Sequence, residues 1–512
     1  MWREERETRG EVVWVNRMPL HRHDSMTRKR SRTEEKEEDA KQKTDAKGKG
    51  KSNGQMHIGV VNPMPKQQFP LVASDPEMTM RILREELLLD GNAKQNLATF
   101  CQTYDAKWLT KLMELGQDKN LIDKDEYPQT AEIERRCVNL IADLWNAPAA
   151  ITGNEAVGCS TVGSSEAAML GGMAAKWRWR KARQAEGKPT DKPNMVCGSV
   201  QICWKKFAVY WDVEMREIEM RPGAMCMEPE DVIAQVDENT IFVVPTLGVT
   251  YHGLYEDVSA ISDALDQVQR DKGWDIPIHV DGASGGFTVP FTAPNDVKPW
   301  DFRLPRVKSI NASGHKFGLS PLGCGWCLWR TKEDLPDELI FHVTYLGGDM
   351  PTFQLNFSRP ASQVIAQYFN FASLGKEGYK EVHDACHTIS KYIASKLESL
   401  GCFDIIHDGD ATKGIPCVTW TMKSDVPAGQ FTLYDLADRL RVRGWQVPAY
   451  PFTGTYANTA YQRILVRRGF SRDLADLLMD DIEAAVNHFK LNPVNAALPP
   501  SERGMKAGYS HL

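Results

Sequence analysis

Apolar residues recur with helical spacing from about Asp75 onward. One apolar helix face is predicted where they recur at i, i+4, i+7, i+8 and i+11. Its members are Ile133, Cys137, Leu140, Ile141 and Leu144. A second helix is predicted over 165–184. The folded part of the chain is therefore expected to open with helices.

Short apolar runs typical of buried strands follow these helices. They are Thr240–Pro245, Pro277–Asp281 and Val307–Asn311. Helix-length segments separate them, and that alternation predicts a mostly parallel sheet joined by crossover helices.

The pattern changes again after about residue 385. Helices are predicted over 383–400 and 433–443, strands over 417–422 and 463–466, and Ser471 is placed to open a last helix. This second unit is expected to be a smaller α+β domain.

The first 60 residues differ from the rest because they are dominated by charged residues. The segment 27–51 has almost no large apolar side chains, so we expect it to be disordered. Arg28-Lys-Arg-Ser-Arg32 can be a nuclear-import or anion-binding patch, but acids follow at once, which favours a solvated charged tail.

Composition excludes several classes of protein. The net charge is −6 over 512 residues, which gives no basic excess for nucleic acid. The chain has no run of about 18 apolar residues, so no membrane span is predicted. The acidic N-terminus is unlike a signal or transit peptide, so we expect a cytoplasmic location. The 11 cysteines are expected to be free.

Two motifs invite an interpretation that we reject. Cys324 and Cys327 have redox or metal-site spacing, but residues 323–329 are predicted to form a strand, which places the two sulfurs on opposite faces. The run 176–181 alternates cations with tryptophans. On a helix its aromatics can pack while the cations extend, so we predict no nucleic-acid binding.

Three features carry candidate chemistry. Gly163-Ser-Ser-Glu166 opens a helix, where free N–H groups favour a phosphate, although an ordinary serine cap is an alternative. Asp281 ends a strand, where a carboxylate can keep a heterocyclic nitrogen protonated or simply cap a turn. Lys316 lies in a Gly- and Ser-rich turn, where a desolvated lysine can form a Schiff base. Together they match the needs of pyridoxal phosphate.

Several long runs of the chain carry a resemblance to a known family. They include Asp90-Gly-Asn-Ala-Lys-Gln-Asn-Leu-Ala-Thr-Phe-Cys101, Ala142-Asp-Leu-Trp-Asn-Ala-Pro148, Ala312-Ser-Gly-His-Lys-Phe-Gly-Leu319 and Asn356-Phe-Ser-Arg-Pro360, with shorter ones at 126–129, 136–139, 163–167, 176–181, 201–204 and 443–448. These runs resemble glutamate decarboxylases of the bacterial, plant and fungal type, in the group II pyridoxal-phosphate-dependent decarboxylase family, and the resemblance covers roughly residues 80 to 490.

The resemblance implies an α/β fold of pyridoxal-phosphate transferase fold type I, aspartate aminotransferase-like. Its parts would be a disordered charged extension (1–60), an N-terminal helical segment (61–94), a large cofactor-binding domain with a mostly parallel sheet (95–385) and a small C-terminal α+β domain (386–512). It also implies α-decarboxylation of L-glutamate to γ-aminobutyrate, and a homo-oligomer that is a hexamer built from dimers.

The resemblance also assigns roles to residues. The cofactor would contact Lys316 through the Schiff base, Asp281 at the pyridine nitrogen, Gln201 and Ala283 on the ring faces, and His315, Ser164, Ser165, Thr250 and a neighbouring subunit's Ser358 at the phosphate. The substrate would contact Thr99, Phe100, Asn120 and Asp123 around its distal carboxylate, and Arg463 at its α-carboxylate side. Tyr345, on a loop, would protonate the product carbon.

The C-terminal residues differ from those of relatives in two features that concern regulation. A penultimate histidine closes the site in bacterial relatives, but the residues around His511 are different, so a frayed terminus is an equal alternative. Residues 491–512 contain no Trp and a single Lys, Lys506, so we expect no calmodulin binding.

Alternative functions remain open at this point. They are a decarboxylase of another acidic or aromatic amino acid, a catalytically inactive partner subunit, and an aminotransferase. The intact set of Lys316, Asp281, Ser164 and Ser165 argues against an inactive subunit.

Overall fold

A computed structural model of the chain describes residues 64–104, 106–344, 350–427 and 430–494. The chain divides into two compact units between Asp90 and Gly91. The first unit contains one described helix, α1 (Pro76–Leu87), which buries none of its residues. The Asp75 carboxylate accepts a hydrogen bond from the Met78 backbone N at 2.8 Å, and this cap, followed by proline, defines the start of the helix.

The second unit contains a seven-stranded sheet with the spatial order β1-β7-β6-β5-β4-β2-β3. Its strands are β1 (Val157–Thr161), β2 (Asn194–Cys197), β3 (Glu214–Glu217), β4 (Thr240–Val244), β5 (Ile278–Asp281), β6 (Val307–Ala312) and β7 (Gly325–Trp329). Strands β3, β2, β4, β5 and β6 are parallel, and β7 is antiparallel to both of its neighbours. The predicted mostly parallel sheet and its three predicted strands are confirmed.

Helices connect and cover these strands. They are α2 (Lys107–Gly116), α3 (Pro128–Leu144), α4 (Pro148–Thr152), α5 (Ser164–Ala185), α6 (Ile202–Tyr210), α7 (Pro229–Gln235), α8 (Val258–Lys272) and α9 (Val289–Thr292). The predicted helix over 165–184 is thus confirmed as α5.

Strand β7 shows how the sheet is buried on both faces. Trp326 and Leu328 pack in one apolar cluster, whereas Cys327 and Trp329 pack in another. Cys324 belongs to the first cluster, so the two cysteines of the C-x-x-C run lie on opposite faces, as predicted.

The apolar face predicted for α3 is wrong at one position. Cys137 and Ile141 are fully buried, but Leu140 is 45% exposed. The buried face instead includes Glu134 and Val138, so that it follows i, i+3, i+4 and i+7. Glu134 is tolerated there because Ser160 donates to its carboxylate from the backbone N at 3.1 Å.

The C-terminal part contains a four-stranded antiparallel sheet with the order β10-β11-β13-β12. Its strands are β10 (Phe403–His407), β11 (Cys417–Met422), β12 (Ala449–Pro451) and β13 (Ala460–Leu465), and a small hairpin pairs β8 (Phe341–Val343) with β9 (Met350–Thr352). Helices α11 (Leu433–Arg441) and α12 (Arg472–Leu491) complete it. The Ser471 hydroxyl caps α12 by accepting from the Leu474 N at 3.2 Å, as expected.

The helix predicted to begin at His383 begins earlier, after Gly375. Helix α10 spans Ser362–Ser399, but Gly375 is not helical, with φ 60° and ψ −172°, so two helices meet there and the predicted helix is the second of them. The predicted domain boundary at residue 385 falls inside α10, and the division into domains stays a prediction. The predicted disordered extension (1–60) lies outside the described residues.

Within the described ranges, no helix is both long and apolar enough to cross a membrane.

Helix α10 carries two buried histidines, His383 and His387. His383 is fully buried among the rings of Phe291, Phe317 and Tyr379. Burial lowers its pKa to about 3, since a charged imidazole is poorly solvated there. Burial also lowers the pKa of His387 to about 4.

We predict that this burial makes the fold sensitive to acid. The unfolded chain binds these protons near pH 6.5, whereas the folded chain binds them only near pH 3 to 4. The stability is therefore complete above pH 6.5 and is lost as the pH falls, by up to about 1.4 kcal/mol per pH unit for each histidine. Denaturant unfolding between pH 7 and 4.5 gives the free energy of unfolding at each pH. Its slope against pH should be smaller for His383→Phe than for the wild type. A His342→Gln variant, changed at an exposed position, should keep the wild-type slope; equal slopes in all three proteins would contradict the prediction.

Candidate active site

Asp281 is the last residue of β5 and is buried at the carboxyl end of the parallel strands. Its Oδ1 accepts hydrogen bonds from Asn311 Nδ2 at 3.0 Å and from the Ala283 backbone N at 3.1 Å. Its Oδ2 accepts one from Trp204 Nε1 at 2.8 Å. Three neutral donors therefore contact this carboxylate, and a lone pair is left on Oδ2 for one further donor.

Lys316 lies in the turn that follows β6, next to the strand of Asp281. The Ser313 backbone N donates to the Ala283 carbonyl at 3.1 Å, which joins the loops after β5 and β6. Lys316 Nζ lies 4.8 Å from the centre of the Phe100 ring. Burial lowers the pKa of the Lys316 ammonium, and the Asp281 carboxylate opposes that shift. The result is an amine that loses its proton more readily than a surface lysine.

Arg463, on β13, reaches the same phenylalanine from the C-terminal part of the chain. Its guanidinium carbon lies 4.4 Å from the centre of the Phe100 ring. Arg463 Nη2 donates to the Ala98 carbonyl at 3.2 Å, while the buried Nε and Nη1 have no partner among the described residues. A buried cation with two such donors is suited to a carboxylate.

The predicted phosphate site lies at the start of α5. Helix α5 begins at Ser164 after Gly163, and no side chain caps it, so the ordinary serine-cap alternative is wrong. The first-turn N–H groups have no acceptor within the helix and favour an anion. Ser164 is half-buried and Ser165 is exposed.

His315 faces this helix start. A Cβ atom placed on Gly163 would lie 3.0 Å from His315 Cε1, and one placed on Gly325 would lie 2.4 Å from the Gly163 carbonyl carbon. Both glycines are therefore needed for the close approach of β7, the loop and the imidazole.

The protonation state of His315 follows from its surroundings. Burial and the neighbouring Lys316 charge lower its pKa to about 4, so the ring is neutral near pH 7. Its Nδ1 accepts from the Cys324 backbone N at 3.2 Å, which leaves the proton on Nε2. His315 thus presents one N–H donor beside the start of α5.

The structure also describes four other predicted residues. Thr99 is half-buried, and its Oγ1 accepts from the Cys101 N at 3.2 Å. Gln201 is also half-buried, but its side chain accepts from the Cys203 N at 2.6 Å and caps α6. Ala283 follows Asp281 by two positions, and Thr250 lies half-buried in the loop after β4. Their predicted contacts with a ligand stay predictions.

Asn120, Asp123 and Ser358 form a separate group. Asn120 Nδ2 donates to Ser358 Oγ at 3.2 Å, and Asn120 Oδ1 accepts from the Arg359 N at 3.1 Å. Asp123 is half-buried three positions further on. None of these described contacts joins this group to Lys316. Tyr345, the predicted proton donor, lies outside the described residues.

Sequence reasoning missed two partners of Asp281, Trp204 and Asn311. The available indication for Asn311 was a polar residue near the end of a predicted buried strand, and the strand register then places it opposite Asp281. Nothing local in the sequence pairs Trp204 with a carboxylate 77 positions away.

The arrangement fits pyridoxal phosphate. Lys316 supplies an amine for an aldehyde, Asp281 a carboxylate for a pyridine nitrogen, and α5 with His315 donors for a phosphate. The buried Ser313 hydroxyl, three positions before Lys316, also has no partner among the described residues. This set of groups has no evident use without such a ligand.

Comparison with known proteins agrees with this chemistry. The pyridoxal-dependent decarboxylase conserved domain matches residues 70–423. A glutamate decarboxylase of Aliivibrio fischeri is 55% identical over 448 residues, which cover 88% of this chain and 94% of that protein. A glutamate decarboxylase beta of Listeria innocua is 46% identical over 451 residues, covering 88% of this chain and 95% of its own. The solved structure of a Lactobacillus brevis glutamate decarboxylase has 43% identity and a TM-score of 0.80, covering 86% of this chain and 97% of that one. The chain therefore belongs to the pyridoxal-dependent decarboxylase family, and these matched relatives within it are glutamate decarboxylases.

Proposed function

We propose that this chain decarboxylates L-glutamate at its α-carbon, with pyridoxal phosphate as cofactor, and releases γ-aminobutyrate and carbon dioxide. The observation that carries the proposal is the Phe100 ring, because the Lys316 amine lies 4.8 Å and the guanidinium carbon of buried Arg463 lies 4.4 Å from its centre. An amino acid presents an amine-bearing carbon and a carboxylate to such a pair of groups. The relatives at 55% and 46% identity support glutamate as that amino acid.

Each group has a distinct task in this reaction. Bound pyridoxal phosphate supplies a conjugated ring that accepts the electron pair left behind when carbon dioxide departs. Asp281 holds the proton on the pyridine nitrogen, where negative charge would otherwise accumulate. Lys316 provides the amine that binds the aldehyde, and its lowered pKa favours the nucleophilic neutral form.

The remaining groups position the reactants. The start of α5, with Ser164, Ser165 and His315, holds the phosphate. Thr250 is predicted to contact the phosphate as well. Gln201 and Ala283 are proposed to contact the ring faces. Arg463 orients the substrate through a carboxylate, because its two free donors are buried where water competes poorly.

We propose that the active form is a homo-oligomer, a hexamer built from dimers. Ser358 is exposed and lies beside the exposed apolar side chains of Leu355 and Phe357. A second copy covering this face would bring Ser358 to a neighbouring phosphate and Asn120 and Asp123 to a neighbouring substrate. Sedimentation velocity of the purified chain measures this state.

A cytoplasmic location is also proposed. All 11 cysteines are free, as is usual in a reducing compartment.

Replacing Lys316 should abolish the reaction. Lys316→Ala removes the amine that binds the aldehyde, so glutamate-dependent γ-aminobutyrate release should fall to background. Borohydride should attach the cofactor covalently to the wild type and not to the variant. Lys308→Ala, at another half-buried lysine whose pKa is also lowered by burial, should retain both properties. Product formation by Lys316→Ala at the wild-type rate would refute the proposed function.

Replacing Arg463 should impair substrate recognition. Arg463→Met keeps much of the side-chain length but removes the buried charge, so kcat/KM for glutamate should fall about 100-fold or more. Arg463→Lys should recover part of that loss, because it restores the charge without the two-donor fork. Steady-state kinetics on both variants, with exposed Arg472→Met as control, provide the measurement. If KM and kcat were unchanged in Arg463→Met, a group other than Arg463 would have to bind the substrate carboxylate.

Activity should favour mildly acidic pH if Asp123 contacts the distal carboxylate. Two carboxyl groups repel each other unless one of them is protonated. Asp123→Asn should therefore lose part of the acid dependence in a pH–rate profile of glutamate decarboxylation. Acid-side activity identical to that of the wild type would count against this role for Asp123.

A further inference from the structure

A chain of buried polar side chains lies behind Asp281, on the side away from any substrate group described above. Ser309 Oγ and His279 Nδ1 are 2.7 Å apart, and His279 Nε2 and Asn311 Oδ1 are 2.7 Å apart. Asn311 Nδ2 then reaches Asp281 Oδ1 at 3.0 Å. All four side chains are at most 3% exposed.

The register of two parallel strands creates this chain. Strand β5 pairs with β6 so that His279 is opposite Ser309 and Asp281 is opposite Asn311. Residues two apart along a strand point to the same face, so all four side chains share one face of the sheet. Their alignment is a consequence of strand pairing rather than of a flexible loop.

Proton assignment along the chain has one consistent solution. The Asp281 carboxylate can only accept, so Asn311 must turn its NH₂ group towards Asp281 and its carbonyl towards His279. His279 must then carry its proton on Nε2, and its Nδ1 accepts from the Ser309 hydroxyl. Burial, which lowers the pKa of His279 to about 4, supports a neutral ring.

The imidazole is also held by packing. A Cβ atom placed on Gly171 of α5 would lie 2.3 Å from His279 Cε1, so the ring lies directly against the helix backbone. The Trp204 ring packs edge-on at 5.1 Å between centroids, and its Nε1 donates to Asp281 Oδ2. The ring therefore has little room to rotate or shift.

We propose that His279 is a positioning residue that fixes the amide orientation of Asn311 and thereby keeps Asp281 aligned with the cofactor's pyridine nitrogen. This inference rests on the cofactor role assigned to Asp281. Without the His279 N–H, the Asn311 amide is free to turn its oxygen towards the carboxylate. That contact is repulsive, and it weakens the hold of Asp281 on the pyridine proton.

The test compares His279→Leu, Asn311→Leu and the double variant as holoenzymes. Solid-state ¹⁵N NMR with ring-¹⁵N-labelled pyridoxal phosphate reports the protonation of the pyridine nitrogen, and equilibrium dialysis gives the cofactor dissociation constant. His279→Leu should move the ¹⁵N signal towards the unprotonated position and raise the dissociation constant about tenfold. Because His279 acts through Asn311, the double variant should be no worse than Asn311→Leu alone.

A matched control separates this role from loss of stability. His252 is similarly buried, but the hydrogen bonds of its ring among the described residues go to backbone atoms, the Met225 carbonyl and the Leu254 N. His252→Leu should lose stability and leave the ¹⁵N signal of the cofactor unchanged. Wild-type values in His279→Leu, or effects of His279→Leu and Asn311→Leu that add fully, would overturn the proposal.

Two further measurements cover the case in which His279→Leu does not fold. Imidazole ¹⁵N signals of the wild-type holoenzyme should show the His279 proton on Nε2, and a proton on Nδ1 would overturn the proposal. Ser309→Ala should shift the pyridine signal in the same direction by a smaller amount, and an unchanged signal would count against the chain. Neither readout requires glutamate, so failure of the proposed substrate leaves the result for His279 interpretable.

Discussion

The buried carboxylate of Asp281 is the interaction on which the rest of the site depends. Moving a carboxylate out of water costs several kcal/mol unless hydrogen bonds and an opposite charge replace the lost solvation. Trp204, Asn311 and the Ala283 N supply the hydrogen bonds. The Asp281 carboxylate in turn opposes the lowering of the Lys316 pKa by burial. Oδ2 of Asp281 still has a lone pair for one further donor.

The parallel sheet explains why these groups meet. Adjacent strands β5 and β6 end at the same edge, so the loops that follow them, with Asp281 and Lys316, lie side by side. The start of α5 reaches that edge because glycines at 163 and 325 permit backbone contact. The same helix packs its Gly171 against His279, so one helix contributes both to the predicted phosphate site and to the support of Asp281.

Arg463 links the C-terminal sheet to this site. Burying a guanidinium with two unpartnered donors is unfavourable for folding, and a carboxylate ligand offsets that cost on binding. Natural proteins retain such groups where function requires them, and a stabilising apolar replacement would remove the recognition. The proposed recognition of the substrate's α-carboxylate side and a local loss of stability therefore have one physical origin.

The sequence by itself determined the alternation of strands and helices, because the spacing of apolar residues is a local property of the chain. It also indicated Lys316, Asp281 and Ser164 as corners of the site, because each is a residue type with specific chemistry at the end of an element. Tertiary structure decided the rest. The exposure of Leu140 depends on how α3 is rotated against its neighbours, which the spacing of apolar residues does not determine. The hydrogen bond of Trp204 to Asp281 and the alignment of His279 with Ser309 depend on register between segments far apart in sequence, which no local pattern encodes.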